Sequence, residues 1–211
     1  MLNDNRQPLL VPEPTLRRLP WYLSSVTLLQ DQGVDYVSST RLSRELNVDA
    51  SMIAKDLSYL NIKGKTRIGY DVAALRRSLE QFLGFMETHN AVIVGVGNLG
   101  AALMTDSGLA NYGLDIVAGF DIRPEIVGSS IKGIPVFHVD DLAVQCKRLD
   151  AEIGIIAVPV RMAQDVAHLL ADAGVKALWN FTPCRILPPE GLVIQNTSIY
   201  AHLAVMYNRL K

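Results

Sequence analysis

Cysteine is scarce in this sequence, and its scarcity argues against two kinds of site. The chain of 211 residues contains only Cys146 and Cys184, which are too few and too far apart for a disulfide framework or a metal cage. Its four histidines are scattered too, without the spacing of a metal-binding helix. We therefore expect no metal site and, because free thiols are the rule in a reducing compartment, a cytoplasmic protein.

Long hydrophobic runs are also missing. No uncharged apolar stretch reaches the roughly 18 residues that a membrane-spanning helix needs. The amino terminus, MLNDNRQPLL, lacks the basic flank and apolar core of a secretory signal. Hydrophobic residues make up 49% of the chain and charged residues 19%, which is typical of a globular protein, and the length suits one large or two small domains.

Net charge is close to zero, but the charges are unevenly distributed. The formal charge of −1 gives no general signal for nucleic acid. Residues 40–70, however, contain six cationic and three anionic side chains. The cations are Arg41, Arg44, Lys55, Lys63, Lys65 and Arg67, and the anions are Glu45, Asp49 and Asp56. A local positive surface of this kind is typical of a domain that binds DNA.

Residues 14–90 have mainly helical periodicity. Apolar residues recur at helical spacing up to the stop at Gly33, namely Leu19, Leu23, Val26 and Leu29. The hydroxyl residues 38–40 predict the cap of a short second helix, and Asp49 that of a third helix over 50–60. Residues 61–70 then indicate two short strands around a basic turn, and 71–87 a closing helix.

Two short helices followed by a basic β-ribbon describe a winged helix-turn-helix. In that motif the second helix of the pair enters the major groove. Its outward face would carry Ser51, Lys55 and Ser58. The wing would add Lys63, Lys65 and Arg67 for phosphate or minor-groove contacts. The alternative is a small helical docking domain whose cations are merely solvated.

Residues 91–185 change to an alternation of strands and helices. Near-continuous apolar runs separated by helical stretches predict a parallel sheet that is covered on both faces. The predicted strands cover residues 91–96, 114–121, 134–138, 152–158 and 177–181, and a clear helix covers 163–174.

The first of these strands leads into a glycine turn, within the stretch AVIVGVGNLG at residues 91–100. A Gly-x-Gly-x-x-Gly motif between a strand and a helix is the fingerprint of dinucleotide binding. Gly95 would permit the tight turn, Gly97 a close approach of the pyrophosphate, and Gly100 close packing of helix on strand. The pyrophosphate would meet the free N–H groups of the helix N-terminus.

Asp121 ends the second strand, about 20 residues beyond the glycines. A carboxylate there can accept both ribose hydroxyls and would repel a 2′-phosphate, so NAD(H) is favoured over NADP(H). Arg123, two residues later, works against that selectivity.

Catalysis has three candidate residues, His138, Lys176 and Cys184. His138 follows a strand and could equally be a solvated strand end, and no base lies near Cys184 in the sequence. The α/β segment also leaves no room for a separate substrate domain. A small NAD-dependent oxidoreductase with a helical dimerisation domain, and a CoA- or nucleotide-binding module that docks on proteins, remain alternatives to a DNA-binding sensor.

The tail, SIYAHLAVMYNRLK, predicts a last helix with a wide apolar face. One stripe contains Ile199, Leu203, Met206 and Leu210, and a second contains Tyr200, Ala204 and Tyr207. Such a face either caps the chain's own sheet or docks on another subunit.

Several short motifs occur together in this chain. They are Arg18-Leu19-Pro20, Val37-Ser38-Ser39, Lys55-Asp56-Leu57-Ser58-Tyr59, Gly69-Tyr70, the glycine turn, Phe120-Asp121, Val158-Pro159 and Asn180-Phe181-Thr182-Pro183. In this combination the chain resembles, over essentially its whole length, the Rex family of bacterial redox-sensing transcriptional repressors.

The resemblance implies an α/β protein with three parts and no enzymatic activity. These are an N-terminal winged helix-turn-helix domain (1–87), a Rossmann-type parallel-sheet domain (88–197) and a domain-swapped C-terminal helix (198–211). It implies a homodimer, joined through that helix, that binds double-stranded operator DNA when NAD⁺ dominates and leaves it when NADH accumulates. Neither a membrane nor a metal is expected to take part.

The resemblance also assigns the site residues. For NADH and NAD⁺ they are Gly95, Val96, Gly97, Asn98, Leu99, Gly100, Asp121, Ile122, Val158, Pro159, Asn180, Phe181 and Thr182. For DNA they are Ser38, Ser39, Ser51, Lys55, Ser58, Tyr59, Lys63, Lys65 and Arg67.

The sequence departs from the family pattern at a few positions. Some members couple redox state to DNA binding through an Arg, a Tyr and an Asp, where this chain has Ser24, Asp106 and Ser198. Ala54 stands where an Arg usually precedes Lys-Asp-Leu, and Arg67 where the wing usually has Gly. We therefore do not carry that switch over to this chain, and its operator need not be the usual one.

Overall fold

The structure is a computed structural model that describes residues 11–60, 62–187 and 191–210. The chain divides into two compact units, Met1–Met86 and Glu87–Lys211. Separate clusters of buried apolar side chains form the cores of the two units. None of the described helices has the length and hydropathy needed to cross a membrane.

The N-terminal unit consists of helices and one short ribbon. In chain order these are α1 (Glu13–Asp31), β1 (Tyr36–Val37), α2 (Ser39–Leu46), α3 (Ala50–Leu57), β2 (Tyr70–Asp71) and α4 (Val72–Phe82). Both predicted caps are present, since Ser38 accepts a hydrogen bond from the N–H of Arg41 and Asp49 accepts from two N–H groups of α3. The apolar face predicted for α1 is buried against the other helices.

The wing differs from its prediction. Among the described residues 62–70, one bridge between Lys65 and Gly69 closes a tight turn, and β2 pairs with β1 instead of with a second wing strand. Residue 61 lies outside the described residues. Gly69 has a φ of +108°, and a Cβ there would stand 2.4 Å from the carbonyl oxygen of Val37. The ribbon therefore requires glycine at this position.

Two predicted helices are longer than the observed ones. The predicted third helix reached residue 60, whereas α3 ends at Leu57 and residues 58–60 form turns. The predicted closing helix of 71–87 is α4, which ends at Phe82 just before Gly84 with its φ of +75°. In both cases the apolar periodicity continues past the last helical hydrogen bond, because a turn can bury the same side chains.

The second unit is a seven-stranded sheet with helices. The strands are β3 (His89–Val94), β4 (Leu114–Asp121), β5 (Ser130–Ile131), β6 (Ile134–His138), β7 (Ile153–Ile156), β8 (Ala177–Asn180) and β9 (Val193–Asn196). The helices are α5 (Asn98–Thr105), α6 (Leu142–Arg148), α7 (Ala163–Asp172) and α8 (Ile199–Arg209). The strand order is β5-β6-β4-β3-β7-β8-β9, and only the β5–β6 pair is antiparallel.

Strand β3 lies at the centre of this sheet and faces two cores. Val92 and Val94 pack into one core, and Ala91 and Ile93 into the other. This alternation confirms a parallel sheet covered on both faces. The edge strands β5 and β9 were not predicted, because the first has two residues and the second, Val-Ile-Gln-Asn, is mostly exposed.

Helix α8 remains largely exposed. Its residue Leu203 is half-buried, whereas the exposed fraction is 55% for Ile199, 48% for Met206 and 77% for Leu210. Tyr200 and Tyr207 are exposed as well. The wide apolar face does not cap the sheet of its own chain, which was one of the two expectations.

A candidate dinucleotide site and a candidate DNA-binding surface

A cavity of about 380 Å³ opens at the carboxyl ends of β3, β4 and β7. Because β4 and β7 lie on opposite sides of β3, the connections leave in opposite directions and a crevice forms there. Of the predicted nucleotide-binding residues, the lining includes Gly95, Gly97, Asp121, Ile122, Val158 and Pro159. The structure thus brings residues from three distant segments to one cavity.

The glycine turn at this cavity has one open position and two crowded ones. A Cβ on Gly95, whose φ is +97°, would stand 2.5 Å from the carbonyl oxygen of Ala157, and a Cβ on Gly100 would stand 2.0 Å from that of Gly95. A Cβ on Gly97 would meet no atom within 4 Å. Helix α5 begins directly after Gly97 without a side-chain cap. Open space in front of free helix N–H groups fits a pyrophosphate.

The Asp121 carboxylate is buried at the end of β4 and is held by the turn around it. Its oxygens accept hydrogen bonds from the N–H groups of Val96 (2.9 Å), Ile122 (2.9 Å) and Arg123 (3.0 Å). Burial alone would raise the pKa of Asp121, but the Arg123 side chain and the N–H groups of Arg123 and Val96 outweigh it and lower the pKa. The carboxylate is therefore ionised at neutral pH.

The Arg123 side chain covers this carboxylate. Its Nε lies 3.1 Å from Asp121 Oδ1, and its Nη2 lies 3.2 Å from Oδ2. The same Nη2 donates a 2.8 Å hydrogen bond to the carbonyl oxygen of Val96 in the glycine turn. The sequence placed Arg123 near the site but gave no sign that it would cover the carboxylate predicted to bind the ribose.

The loop after β8 is held by its own side chains. Asn180 is fully buried, and its Oδ1 accepts hydrogen bonds from the N–H and the hydroxyl of Thr182. Its Nδ2 donates to the carbonyl oxygen of Cys184 and to Asn196. The ring of Phe181 packs against Trp179, with 4.6 Å between centroids. These three predicted nucleotide-binding residues do not line the cavity, and their role stays a prediction.

The candidate catalytic residues lie in three separate places. His138 accepts a hydrogen bond from the N–H of Asp140 beyond β6, and Cys184 Sγ lies 3.2 Å from the Thr182 hydroxyl. Lys176 precedes β8, so it lies at the amino ends of the strands, whereas the cavity lies at their carboxyl ends. There it pairs with Glu152. No constellation of base, nucleophile and orienting group is formed by them. Across the described residues, no group of His, Cys, Asp and Glu side chains could hold a metal.

Helix α3 presents one buried and one exposed face. Ile53 and Leu57 are buried, while Ser51, Lys55 and Ser58 are exposed as predicted. The Ser51 hydroxyl donates to the Asp49 carboxylate, and the Ser58 hydroxyl donates to the carbonyl oxygen of Lys55 at 2.6 Å. Both hydroxyls are thus oriented as acceptors toward solvent. Tyr59, the N-cap residue Ser38 and the first residue of α2, Ser39, are half-buried.

The wing has an exposed cationic rim, and Tyr36 of β1, which the sequence analysis did not name, contacts it. Lys63, Lys65 and Arg67 are all exposed. The Lys65 ammonium donates a 2.8 Å hydrogen bond to the hydroxyl of Tyr36, which raises the pKa of Lys65, and it lies 4.8 Å from the ring centroid. Arg67 adopts a left-handed conformation with a φ of 64° at the turn.

A buried carboxylate fixes α3 against α1. Asp56 is 1% exposed and accepts hydrogen bonds from Arg18, from the Tyr22 hydroxyl at 2.7 Å and from the Thr15 hydroxyl at 2.9 Å. Burial tends to raise the pKa of Asp56, but these donors lower it. The sequence contained one sign of this buried ion pair, because Asp56 is an acidic residue next to Leu57 within the apolar repeat of α3.

Comparison with known proteins supports this two-part organisation. A family model described as "CoA binding domain" matches residues 86–184, and one described as "Putative DNA-binding protein N-terminus" matches residues 10–58. A redox-sensing transcriptional repressor Rex from Bacteroides thetaiotaomicron is 58% identical over 200 residues, which cover 95% of this chain and 91% of that protein. The chain belongs to the Rex family.

More distant Rex proteins give the same result. The Rex of Treponema denticola is 38% identical over 201 residues, covering 94% of this chain and 96% of that protein. A crystal structure of RSP in complex with β-NAD⁺ and operator DNA matches with a TM-score of 0.91 at 33% identity, covering 95% and 93% of the two chains. RSP in complex with β-NADH matches with a TM-score of 0.86. The predicted fold class, a winged helix-turn-helix followed by a Rossmann-type sheet, is confirmed.

Of the three positions that departed from the Rex pattern, Asp106 and Ser198 have local roles in this structure. Ser24 is exposed on α1. Asp106 ends α5 and accepts a 2.8 Å hydrogen bond from the N–H of Gly108, and the Ser198 hydroxyl caps α8 by accepting from the N–H of Ala201. The side chains of Asp106 and Ser198 are thus explained by their own turn and cap.

Proposed function

We propose that this Rex-family chain is a redox-sensing transcriptional repressor, which binds operator DNA as a homodimer and leaves it when NADH binds. One observation carries the proposal. A dinucleotide cavity without an assembled catalytic group occurs in the same chain as an exposed, cationic helix-turn-helix surface. None of the three candidate catalytic residues, His138, Lys176 and Cys184, lines the cavity, so the oxidoreductase alternative is not favoured.

The nucleotide would lie across the carboxyl ends of the sheet. The glycine turn would hold the pyrophosphate at the N-terminus of α5, and Asp121 would accept the hydroxyls of the adenosine ribose. Val158 and Pro159 on the cavity wall, together with the loop containing Asn180, Phe181 and Thr182, would face the nicotinamide end. The relative RSP has been crystallised with β-NAD⁺ and with β-NADH, which supports both as ligands.

The DNA would be contacted by α3 and the wing. Ser51, Lys55, Ser58 and Tyr59 would reach base edges and phosphates of the major groove, and Ser38 and Ser39 would bring the N-terminus of α2 to a phosphate. Lys63, Lys65 and Arg67 would contact the backbone or the minor groove. Operator DNA in the RSP complex supports this partner. The repressor would act in the cytoplasm.

Dimerisation would cover the apolar face of α8. Isolated helices of this length are marginal in water, so an uncovered apolar helix gains its stability from a partner. A second copy of the chain, which accepts α8 in exchange for its own, leaves both faces covered. Two recognition helices would then read two half-sites of a palindrome.

The proposal is tested by operator binding at fixed salt, with NADH and NAD⁺ compared. If NADH stabilises an arrangement in which the recognition helices no longer fit successive grooves, it weakens operator affinity by about 5- to 150-fold. By linkage, operator DNA must weaken NADH binding by the same factor. Equal operator affinity with the two nucleotides would reject the sensor function, and turnover of NADH with a metabolite would favour the oxidoreductase.

A further inference from the structure

The ribose-binding carboxylate of Asp121 already has more donors than it can accept well. A carboxylate offers about four lone-pair positions. Three are used by the N–H groups of Val96, Ile122 and Arg123, which belong to the fold of the turn. The remaining capacity is used by Nε and Nη2 of the Arg123 guanidinium. Two ribose hydroxyls therefore have no free acceptor on Asp121 in this arrangement.

The guanidinium is the removable part of this network. Its side chain is 44% exposed, whereas the side chain of Asp121 is 9% exposed. Beyond Asp121, the guanidinium donates a hydrogen bond to the carbonyl oxygen of Val96, at the entrance of the glycine turn. The backbone donors cannot leave without unfolding the turn, but the Arg123 side chain can rotate into solvent.

We infer that Arg123 is a specificity-determining residue that competes with the ribose for Asp121 and, once displaced, accepts a 2′-phosphate. The inference rests on the proposed function, because it takes the cavity to be the NAD(H) site. Only the fraction of molecules with Arg123 displaced can bind, so the apparent affinity for NADH is lowered by that fraction. The displaced guanidinium stays within a side chain's length of the ribose, where it offsets the repulsion between Asp121 and a 2′-phosphate.

The test compares NADH and NADPH affinity in the full-length protein and in Arg123→Ala. The substitution should tighten NADH binding by about two- to fivefold, because NADH no longer has to break a part-exposed ion pair of that strength. It should also raise the ratio of the NADPH to the NADH dissociation constant by about tenfold or more, because a charged hydrogen-bond donor to the phosphate is lost. Arg123→Lys, which keeps the charge, should retain most of the NADPH binding.

A matched control is Arg76→Ala, which removes a similarly exposed arginine that pairs with Glu80 in the other unit. It should change neither dissociation constant. The inference would be overturned if Arg123→Ala bound NADH no more tightly than wild type. It would also be overturned if the ratio of the NADPH to the NADH dissociation constant were unchanged, or if wild type bound no NADPH at millimolar concentration. If neither wild type nor Arg123→Ala binds NADH, the proposed function itself is wrong, which is a different result.

Discussion

The guanidinium of Arg18 on α1 holds the buried carboxylate of Asp56 on α3, with 2.7 Å from Nε to Oδ2 and 2.8 Å from Nη2 to Oδ1. Two parallel hydrogen bonds between a guanidinium and a carboxylate fix the relative orientation of the two groups as well as their distance. Because Asp56 directly follows Lys55, the ion pair sets the rotation at which α3 presents its exposed face. The positioning of α3, the proposed DNA-binding helix, thus depends on a buried residue that is not itself expected to contact DNA.

Replacing Asp56 should destabilise the N-terminal unit and weaken operator binding. In Asp56→Asn the buried donors of Arg18 and Tyr22 lose their charged acceptor. We expect a loss of roughly 3 kcal/mol, the low end for removing one member of a buried pair, because the Arg18 side chain is 20% exposed. Urea unfolding followed by Trp21 fluorescence in a Trp179→Phe background measures it. Glu13→Gln, which breaks an exposed pair on the same helix, is the control and should have little effect.

The same carboxylate should make the N-terminal unit sensitive to acid. The pKa of Asp56 is lowered from 3.8 on folding, so the unfolded chain binds the proton at the higher pH. The contribution of the Asp56 carboxylate to the free energy of unfolding is complete above about pH 4. It is lost as the pH falls below 3.8 and passes through the pKa of the folded state. Unfolding free energies should therefore fall more steeply below pH 4 in wild type than in Asp56→Asn. Parallel pH curves for the two proteins would contradict this.

DNA binding and nucleotide binding should be separable by two substitutions. Lys55→Ala removes an exposed cation of α3 and should weaken operator binding by about tenfold or more, reduce its salt dependence and leave NADH affinity unchanged. Asp121→Ala should do the reverse, since it removes the ribose acceptor. Gel shifts and NADH titrations measure both. Lys147→Ala, which removes another exposed lysine, on α6, is the control for charge alone.

Two glycines of the same turn should respond in opposite ways. Gly97 has an ordinary φ of −78° and open space at its Cβ position, so Gly97→Ala should fold normally yet weaken NADH binding by filling the pyrophosphate position. Gly100→Ala forces a Cβ against the carbonyl of Gly95 and should cost about 3 kcal/mol or more in stability. Unfolding followed by Trp179 fluorescence in a Trp21→Phe background distinguishes them. Unchanged NADH affinity in a folded Gly97→Ala would place the pyrophosphate elsewhere.

Charge on the apolar face of α8 should prevent dimerisation. Met206→Glu places a carboxylate within that face, and burying it in an interface without a partner is costly. Sedimentation should show a monomer with folded units and weak operator binding. Asn208→Glu, about 200° around the helix from Met206, should remain dimeric. A dimeric Met206→Glu protein would show that α8 is not the interface.

Local features of this fold could be predicted because their causes are local. The caps of Ser38 and Asp49 depend on residues within one helical turn, and strands β4 and β6 have the predicted bounds because their apolar runs end at polar or turn residues. The wing was predicted less well. Its Gly69 is constrained by the backbone at Val37, and no local pattern reveals a contact between such distant residues.

The sequence by itself determined the two-part organisation, the glycine turn and the sign of the charge around α3, since each follows from periodicity, spacing or composition within a short window. Only the tertiary structure decided that Asp56 is buried under Arg18 and that Arg123 covers Asp121. The reason is physical: the environment of a carboxylate depends on which donors the folded chain brings within 3 Å or so, and side-chain direction at such contacts is set by packing. Sequence spacing predicts that a carboxylate is present for a ligand, whereas packing determines which hydrogen-bond donors already occupy that carboxylate.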